Sequence, residues 1–420
     1  MGPDVVVIGG GPAGLMAAVG AAGGGARVLV CERLPKPGRK LLASGGGRCN
    51  LTNTLPPEEF VERLGRDGRF ALPALRALDG HALRGFFLER GVSTESPDGF
   101  RVYPSSGRSG DVLTALVGEC GRLGVVVRRN AAVETLCLPE RRLEGVVVDG
   151  RRIPCGVVIV ATGGLGYPRL GGTGDGYALA RAAGHRIREP VPALVGLRTK
   201  ERWPRGCAGV AVARARVTVD VPRRRAAAEG NLLFTHEGIS GQAVLDVSGA
   251  VAELLASRAE VPLRVSLDAS ADRASWVARL DGWRAAGERR SVAGLLSESL
   301  PRSLARAVCS RAGAEGLCAP VLPRAVKDGL ADALSGLRLT AVGTGGFENA
   351  VVTRGGVALS GVDPETLESR TTPGLRFAGE VLDVDGPCGG FNLQWAFASG
   401  WLAGRSVCAG PVAKPTAPGR

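Results

Sequence analysis

The chain of 420 residues is 45% hydrophobic with a mean hydropathy of +0.10, material for roughly two to three packed domains, and no uninterrupted apolar run approaches the ~18 residues of a membrane span. Its net charge is +13, yet only five of the 53 basic residues are Lys, and the Arg residues gather in sets such as Arg128-Arg129, Arg151-Arg152 and Arg223-Arg224-Arg225. Such an excess attracts anionic partners, but no stacking aromatics accompany it, which favours a solvated surface over a nucleic-acid module.

In chain order, residues 4–8 (DVVVI) are a continuous apolar run, the mark of a strand buried on both faces. Pro12 to Ala22 is Ala-rich and helical, and Arg27 to Glu32 is a second strand, so the chain opens on a βαβ unit. Asp4, a glycine-rich turn and the lack of a basic leader make this segment structure rather than a secretory signal. Val6, where Ser or Thr is required, removes Gly2 as a myristoylation site. Residues 56–90 are predicted helical, 92–104 a strand pair around Asp98-Gly99, and 109–123 a helix. Two β stretches follow at 125–136 and 143–153, then a buried strand in 157–164.

After Pro190 and Pro192 the texture changes. In 211–221, Arg214, Arg216, Thr218 and Asp220 alternate with Ala215, Val217, Val219 and Val221, as in a half-exposed antiparallel strand. Further β stretches end at Phe234 and cover 261–267, and helices are predicted over 271–288, 291–312 (N-cap Ser291) and 323–336. From Thr340 a glycine-rich β texture returns and closes on a helix at 391–408. Residues 1–192 and 340–410 are therefore expected to form one α/β nucleotide-binding domain. The segment 193–339 interrupts it, mainly β over 193–270 and helical over 271–339, and 411–420 is a frayed tail.

Gly9, Gly11 and Gly14 form GxGxxG, a weak motif alone in a chain with 64 glycines. Here a buried strand precedes it, a helix follows, and Glu32 ends the next strand 23 residues after Gly9, the place of a ribose-binding acid. Together with Pro12 and Ala13 at the helix start, these residues suit a dinucleotide pyrophosphate. The motif does not choose between NAD and FAD; two later segments do. VVIVATGG brings Ala161, Thr162 and Gly163 past a strand end, close to a bound dinucleotide. LRFAGEVLDVDGPCGGFNLQWAFASGWLAG (375–404) runs from a strand through Gly379-Glu380 and a glycine turn into a helix rich in small residues. A second helix N-terminus suits the flavin end of an extended FAD.

The segments GRKLLASGGGRCNLTN (38–53), GGLGYPRLGGTGDGY (163–177), LLFTHEGISG (232–241), VVTRGGVAL (351–359) and FAGEVLDVDGPCGGFNLQWAFASG (377–400) resemble the aminoacetone-oxidase/BaiN-like family of FAD-binding flavoproteins, in order over about residues 5 to 408. The resemblance implies a Rossmann-like FAD domain of glutathione-reductase type, interrupted by a β-barrel-like insertion with a helical subdomain. It implies an oxidoreductase whose substrates vary between members, from amines to steroid enones. Carried onto this chain, it implies that Ser44, Gly45, Gly46, Gly47, Arg48, Cys49 and Asn50 line the flavin. Gly379, Glu380 and Asp383 would hold the ribityl, Gly389, Gly390, Phe391, Asn392 and Leu393 would meet the isoalloxazine, and Val133 would offer backbone to the adenine. Arg33 and Lys40 complete the candidate cofactor contacts. Gln242, Cys388 and Phe391 depart from the family's usual Pro, Thr and Tyr, the last two near the flavin pocket.

The three consecutive glycines let backbone lie against the cofactor without Cβ clashes, while Arg48 supplies charge to phosphate or reduced flavin. Asn50 and Asn53 cap or bond locally. Cys49 reads as a small buried residue rather than a redox thiol. No metal constellation is readable among His81, His185 and His236. His236, beside a glycine turn, is a catalytic proton carrier or a structural histidine; Tyr103 and Tyr167, in glycine- and proline-rich loops, are further catalytic candidates. The expectation is a cytoplasmic FAD-dependent oxidoreductase, its ten cysteines reduced and free of any CxxC pair. It would exchange a hydride between flavin N5 and a small amine or enone held between the FAD domain and the insertion. No second GxGxxG marks a nicotinamide domain, so either NAD(P)H docks transiently or oxygen reoxidises the flavin. An RNA-modifying flavoenzyme, similar to folate-dependent tRNA methyltransferases, and a non-catalytic flavin-binding protein are the rival readings.

Overall fold

The computed structural model describes residues 2–64, 68–223 and 226–408, so the expected tail and Arg224-Arg225 lie outside the described residues. The chain divides into two compact units: one runs through Pro190 and resumes at Val352, and the other is Val191–Val351. The first unit opens with β1 (Val5–Ile8), α1 (Pro12–Gly23), β2 (Val28–Cys31), α2 (Arg39–Ala43) and β3 (Thr52–Asn53). It continues through α3 (Pro57–Arg63), α4 (Gly68–Ala77), α5 (Gly80–Leu88), β4 (Thr94–Glu95), β5 (Arg101–Pro104), α6 (Ser109–Arg122) and β6 (Val126–Arg128). Then come β7 (Val133–Cys137), β8 (Gly145–Val148), β9 (Arg151–Pro154), β10 (Val157–Val160) and α7 (Asp175–Ala182), and the unit ends within β11 (Ile187–Ala193).

The second unit holds β12 (Leu197–Thr199), β13 (Ala211–Val219), β14 (Ala227–Phe234), β15 (Gly238–Ser240), α8 (Gln242–Leu255) and β16 (Val261–Ser266). Its helices α9 (Arg273–Ala285), α10 (Val292–Leu296), α11 (Arg302–Arg311) and α12 (Arg324–Gly336) precede β17 (Leu337–Thr344) and α13 (Gly346–Asn349). The first unit resumes with β18 (Val352–Val357), β19 (Leu375–Phe377) and α14 (Phe391–Arg405).

The first unit is built on a parallel sheet in the order β19-β10-β1-β2-β6. Val5, Val6 and Val7 are fully buried, as a strand covered on both faces requires. Ile8 lies beside Cys31 on one side and Val160 on the other, and Val160 beside Phe377, so four carboxyl ends finish level. The chain leaves β1 towards β2 and later returns on its other side, which makes the carboxyl end of β1 a topological switch point, where such sheets bind ligands.

The second unit is a closed barrel, β12-β15-β14-β13-β16-β17, followed by a helical part with a core around Trp276, Leu280, Leu304, Val308, Leu330 and Leu334. β13 alternates as its sequence indicates: Ala215, Val217 and Val219 are fully buried, Arg214 and Arg216 exposed. Three features differ from the sequence expectation. The helix expected over 291–312 is split into α10 and α11, because Pro301 cannot follow helical backbone and instead caps α11. α8, unforeseen, packs against five of the barrel strands. β17 closes the barrel by pairing with β12 and β16, so residues 340–351 belong with the second unit. Among the described residues no helix is long and apolar enough to cross a membrane.

Candidate cofactor site

At the carboxyl end of β1 the chain turns tightly into α1. A Cβ on Gly14 would run into the carbonyl oxygen of Gly9, and one on Gly9 would sit 2.6 Å from the carbonyl of Ala161, so only glycine lets helix, turn and strand β10 meet here. α1 starts at Gly11 with no side-chain cap, and a Cβ there would face open space. The free N–H groups of its first turn are thus available to an anion. Glu32, 8% exposed at the end of β2, accepts from the Gly10 and Leu34 N–H groups, each at 2.7 Å. Two backbone donors fix the carboxylate beside the turn. Ala131 N–H donates to the Glu32 carbonyl at 2.9 Å, which sets the run up to Val133, buried at the start of β7, against the same strand end.

The glycine loop is a left-handed run. Gly45, Gly46 and Gly47 have φ of 58°, 66° and 88°, and Cys49 follows at 61°. A Cβ on Gly46 or Gly47 would meet nothing within 4 Å, so the loop keeps an open face of bare backbone. Its far end is tied to the start of α14. The Asn50 amide, oriented to satisfy its partners, accepts from Gly390 N–H at 2.9 Å, and Asn53 Nδ2 donates to the Gly389 carbonyl at 3.0 Å. Cys49 is fully buried and burial pushes its thiol up to about 12, which leaves it a packing residue.

α14 begins at Gly390 (φ 85°), also without a side-chain cap. Gly379 lies between the start of α1 and the second and third turns of α14. Its N–H donates to Ser399 Oγ at 2.9 Å, its carbonyl accepts from Trp395 Nε1 at 3.2 Å, and a Cβ on it would come within 2.8 Å of the Ala13 Cβ. Glu380, half-buried, accepts from Lys40 Nζ at 2.6 Å and from Thr353 N–H at 2.8 Å. Thr353 Oγ1 in turn accepts from Leu165 and Gly166 N–H, so the loop after β10, α2 and the segment after β19 are bonded into one frame. Asp383 accepts from Gly355 N–H and from Arg188 Nη1, both at 3.1 Å.

The structure brings Gly9, Gly11, Pro12, Ala13, Gly14, Glu32, Ala161 and Gly379 together at the sheet's carboxyl edge, and the glycine loop together with Gly389 and Gly390. Thr162 and Gly163 follow Ala161, and Thr162 Oγ1 lies where a Cβ on Gly176 would fall. The remaining candidates make contacts of their own. The Phe391 ring is buried against Phe60, centroids 4.6 Å apart, and Asn392 makes two bonds to the Gly386 backbone, each at 2.9 Å. Leu393 is half-buried and packs against the core of the first unit. Arg33 pairs on the surface with Thr173 and Asp175. Tyr103 is half-buried under the Arg48 guanidinium; Tyr167 is half-buried at φ 53°; His236 is exposed in the turn between β14 and β15. Sequence reasoning passed over Thr353, Trp395 and Ser399, although Thr353 stands in the quoted VVTRGGVAL and Ser399 in the small-residue stripe of α14.

These residues fit FAD: two helix starts without side-chain caps, an acid held by backbone N–H groups at the end of the second strand, and a glycine loop with an open face. Fold and site define an FAD-dependent oxidoreductase with a Rossmann domain. The description "HI0933-like protein Rossmann domain" matches residues 3–406, and the chain belongs to that family. It is 37% identical to the 3-dehydro-bile acid delta(4,6)-reductase of Clostridium scindens over 96% of this chain and 99% of that one. It is 30% identical to a ribosomal RNA dihydrouridine synthase of Escherichia coli over 97% of this chain and 98% of that one. Among solved structures, the 3-ketosteroid delta1-dehydrogenase of Sterolibacterium denitrificans shares the fold at a TM-score of 0.54 and 15% identity, covering 97% of this chain and 99% of that one. A flavocytochrome c3 fumarate reductase does so at 0.52 and 18%, covering 97% of this chain and 78% of that one.

Proposed function

We propose that this oxidoreductase reduces a carbon–carbon double bond conjugated to a carbonyl in a small organic molecule. The observation that carries this reading is the end-to-end likeness, at 37% and 30% identity, to two enzymes whose names describe that one bond change. A delta(4,6)-reductase saturates an unsaturated oxo compound, and a dihydrouridine synthase saturates the uracil double bond next to a carbonyl. Of the two substrate types first expected, this favours the enone over the amine.

Bound in the cradle, FAD supplies the hydride-transfer chemistry through its N5. The N–H groups at the start of α1 hold the pyrophosphate and Glu32 the adenosine ribose. The start of α14, which has no side-chain cap, would offer positive helix-end potential to the flavin. The Lys40–Glu380–Thr353 frame would support the ribityl, and the bare backbone of Gly46 and Gly47 leaves the loop an open face. NAD(P)H is the reductant proposed, docking transiently. RNA is the second reading for the substrate, favoured by the Escherichia coli relative and the net charge of +13.

The experiment is anaerobic. The purified yellow protein is reduced with NADPH, NADH or dithionite and mixed with cyclohex-2-enone or testosterone, and aliphatic amines are added to a separate, oxidised sample. Reoxidation of the flavin by the enones, with formation of the saturated ketones, is expected. Bleaching of the oxidised flavin by amines, with no reaction towards enones, would refute the reading.

A further inference from the structure

Resting on the reductase reading above, we infer that Tyr103 is the proton donor of this reaction and that Arg48 is its positioning residue. Delivery of a hydride to the β carbon of an enone leaves negative charge on the α carbon and the carbonyl oxygen, so a positioned acid must complete the reduction. The first unit offers few. Its only tyrosines are residues 103, 167 and 177, and Tyr177 is 3% exposed with its hydroxyl sealed away. His185 is buried and bonded to Ser369 Oγ at 2.7 Å, and the Cys49 thiol is fully buried.

Tyr103 differs from all of these. It lies on β5, which pairs with β3 and β4, and β3 is fastened to the start of α14 through Asn53 and Gly389. Its ring edge is 3.7 Å from the place of a Cβ on Gly45, so it flanks the open glycine loop. It is half-buried, and its hydroxyl has no hydrogen-bond partner among the described residues. The Arg48 guanidinium carbon stands 4.9 Å from the ring centroid, and Arg48 forms no ion pair among the described residues. Here an arginine without an ion pair among the described residues holds the ring by a cation–π contact. It also brings positive charge to the side of the loop where the substrate oxygen gathers negative charge. Tyr167 has no arginine stacked on it among the described residues.

The β carbon accepts a hydride from the reduced flavin, the π pair moves to the α carbon, and the Tyr103 O–H bond breaks as that carbon takes the proton. The substrate is reduced by two electrons, the flavin oxidised, and water returns a proton to the phenolate.

The test uses the flavin-loaded protein and Tyr103→Phe, Arg48→Ala and Arg48→Lys. In deuterium oxide, the wild type is expected to place one deuterium on the α carbon of the saturated ketone. Tyr103→Phe should keep its flavin spectrum and bind testosterone to the oxidised protein within about twofold, yet lose ~100-fold in the rate of enone-driven reoxidation. Arg48→Ala should lower the same rate with flavin content intact, and Arg48→Lys should restore most of it. A Tyr103→Phe protein that reoxidises within about threefold of wild type overturns the inference and leaves the reductase reading standing. Loss of flavin from that variant also overturns it, since the residue would then hold the cofactor. A wild type inert towards every enone refutes the reductase reading and this inference with it.

Discussion

Glu119, on α6, shows how single side chains in this protein set its response to pH. It is 6% exposed and accepts from Arg122 Nε at 2.8 Å and Arg90 Nη2 at 2.7 Å. Arg122 foremost, and Arg90 with it, hold the carboxyl down at about 2 against the opposing effect of burial. A carboxyl lowered on folding adds stability that is complete above its unfolded value of 4.5 and disappears as the pH falls through about 2. Glu119→Gln should therefore cost about 1–3 kcal/mol near neutral pH, where it leaves two guanidiniums poorly matched. The cost should shrink on acidification from pH 4.5 towards 2, read as converging urea midpoints of variant and wild type. Parallel midpoints across that window would show that the pair does not titrate with folding.

At the scale of elements, the site depends on how closely α1 and α14 approach. A Cβ on Gly400 would collide with the carbonyl oxygen of Ala13, and one on Gly404 with that of Ala17. Such backbone contact leaves no side chain to move aside. Gly400→Val is expected to cost about 1–3 kcal/mol by overpacking. It should also lower flavin content, because Ala13 belongs to the first turn of α1 and Ser399 fixes Gly379. Thermal melting and flavin absorbance read both effects. As a control, Gly282→Ala on α9, where a Cβ meets nothing within 4 Å, should gain up to about 1 kcal/mol from helix propensity. Much of this architecture was legible in sequence: the apolar run of β1, the GxGxxG turn and Glu32 are local patterns with local causes. α8 was not legible, because Asp246, Ser248 and Gly249 interrupt its apolar stripe. Ser248 is fully buried and satisfied by Val195 N–H and the Leu245 carbonyl, a partnership no spacing reveals. The Lys40–Glu380 pair joins residues 340 positions apart, and the closure of β12 onto β17 is likewise a long-range event. Composition shows the parts of such a frame, and only the fold shows which parts meet.

At the scale of the whole molecule, the charge of +13 decides how far the RNA reading can be pressed. Some of the arginines are matched within the protein: Arg128 to Asp149 and Arg152 to Glu144 in the clusters, and Arg216 to Glu229 and Arg264 to Asp220 outside them. These exposed pairs add little to stability but keep guanidiniums engaged with carboxylates. The remaining excess is a diffuse field, which draws any polyanion without reading its sequence. A ribosomal RNA fragment and a scrambled RNA of equal length should therefore bind alike, at ~10⁻⁴ to 10⁻⁶ M near physiological salt, and weaken together as salt rises. Filter binding over a salt series measures this. Nucleoside mass spectrometry after incubation with the reduced holoprotein should find no gain in dihydrouridine. Preference for the ribosomal fragment that survives high salt, or a gain in dihydrouridine, would move the substrate from a small enone to a uracil base, with the same bond reduced in the same cradle.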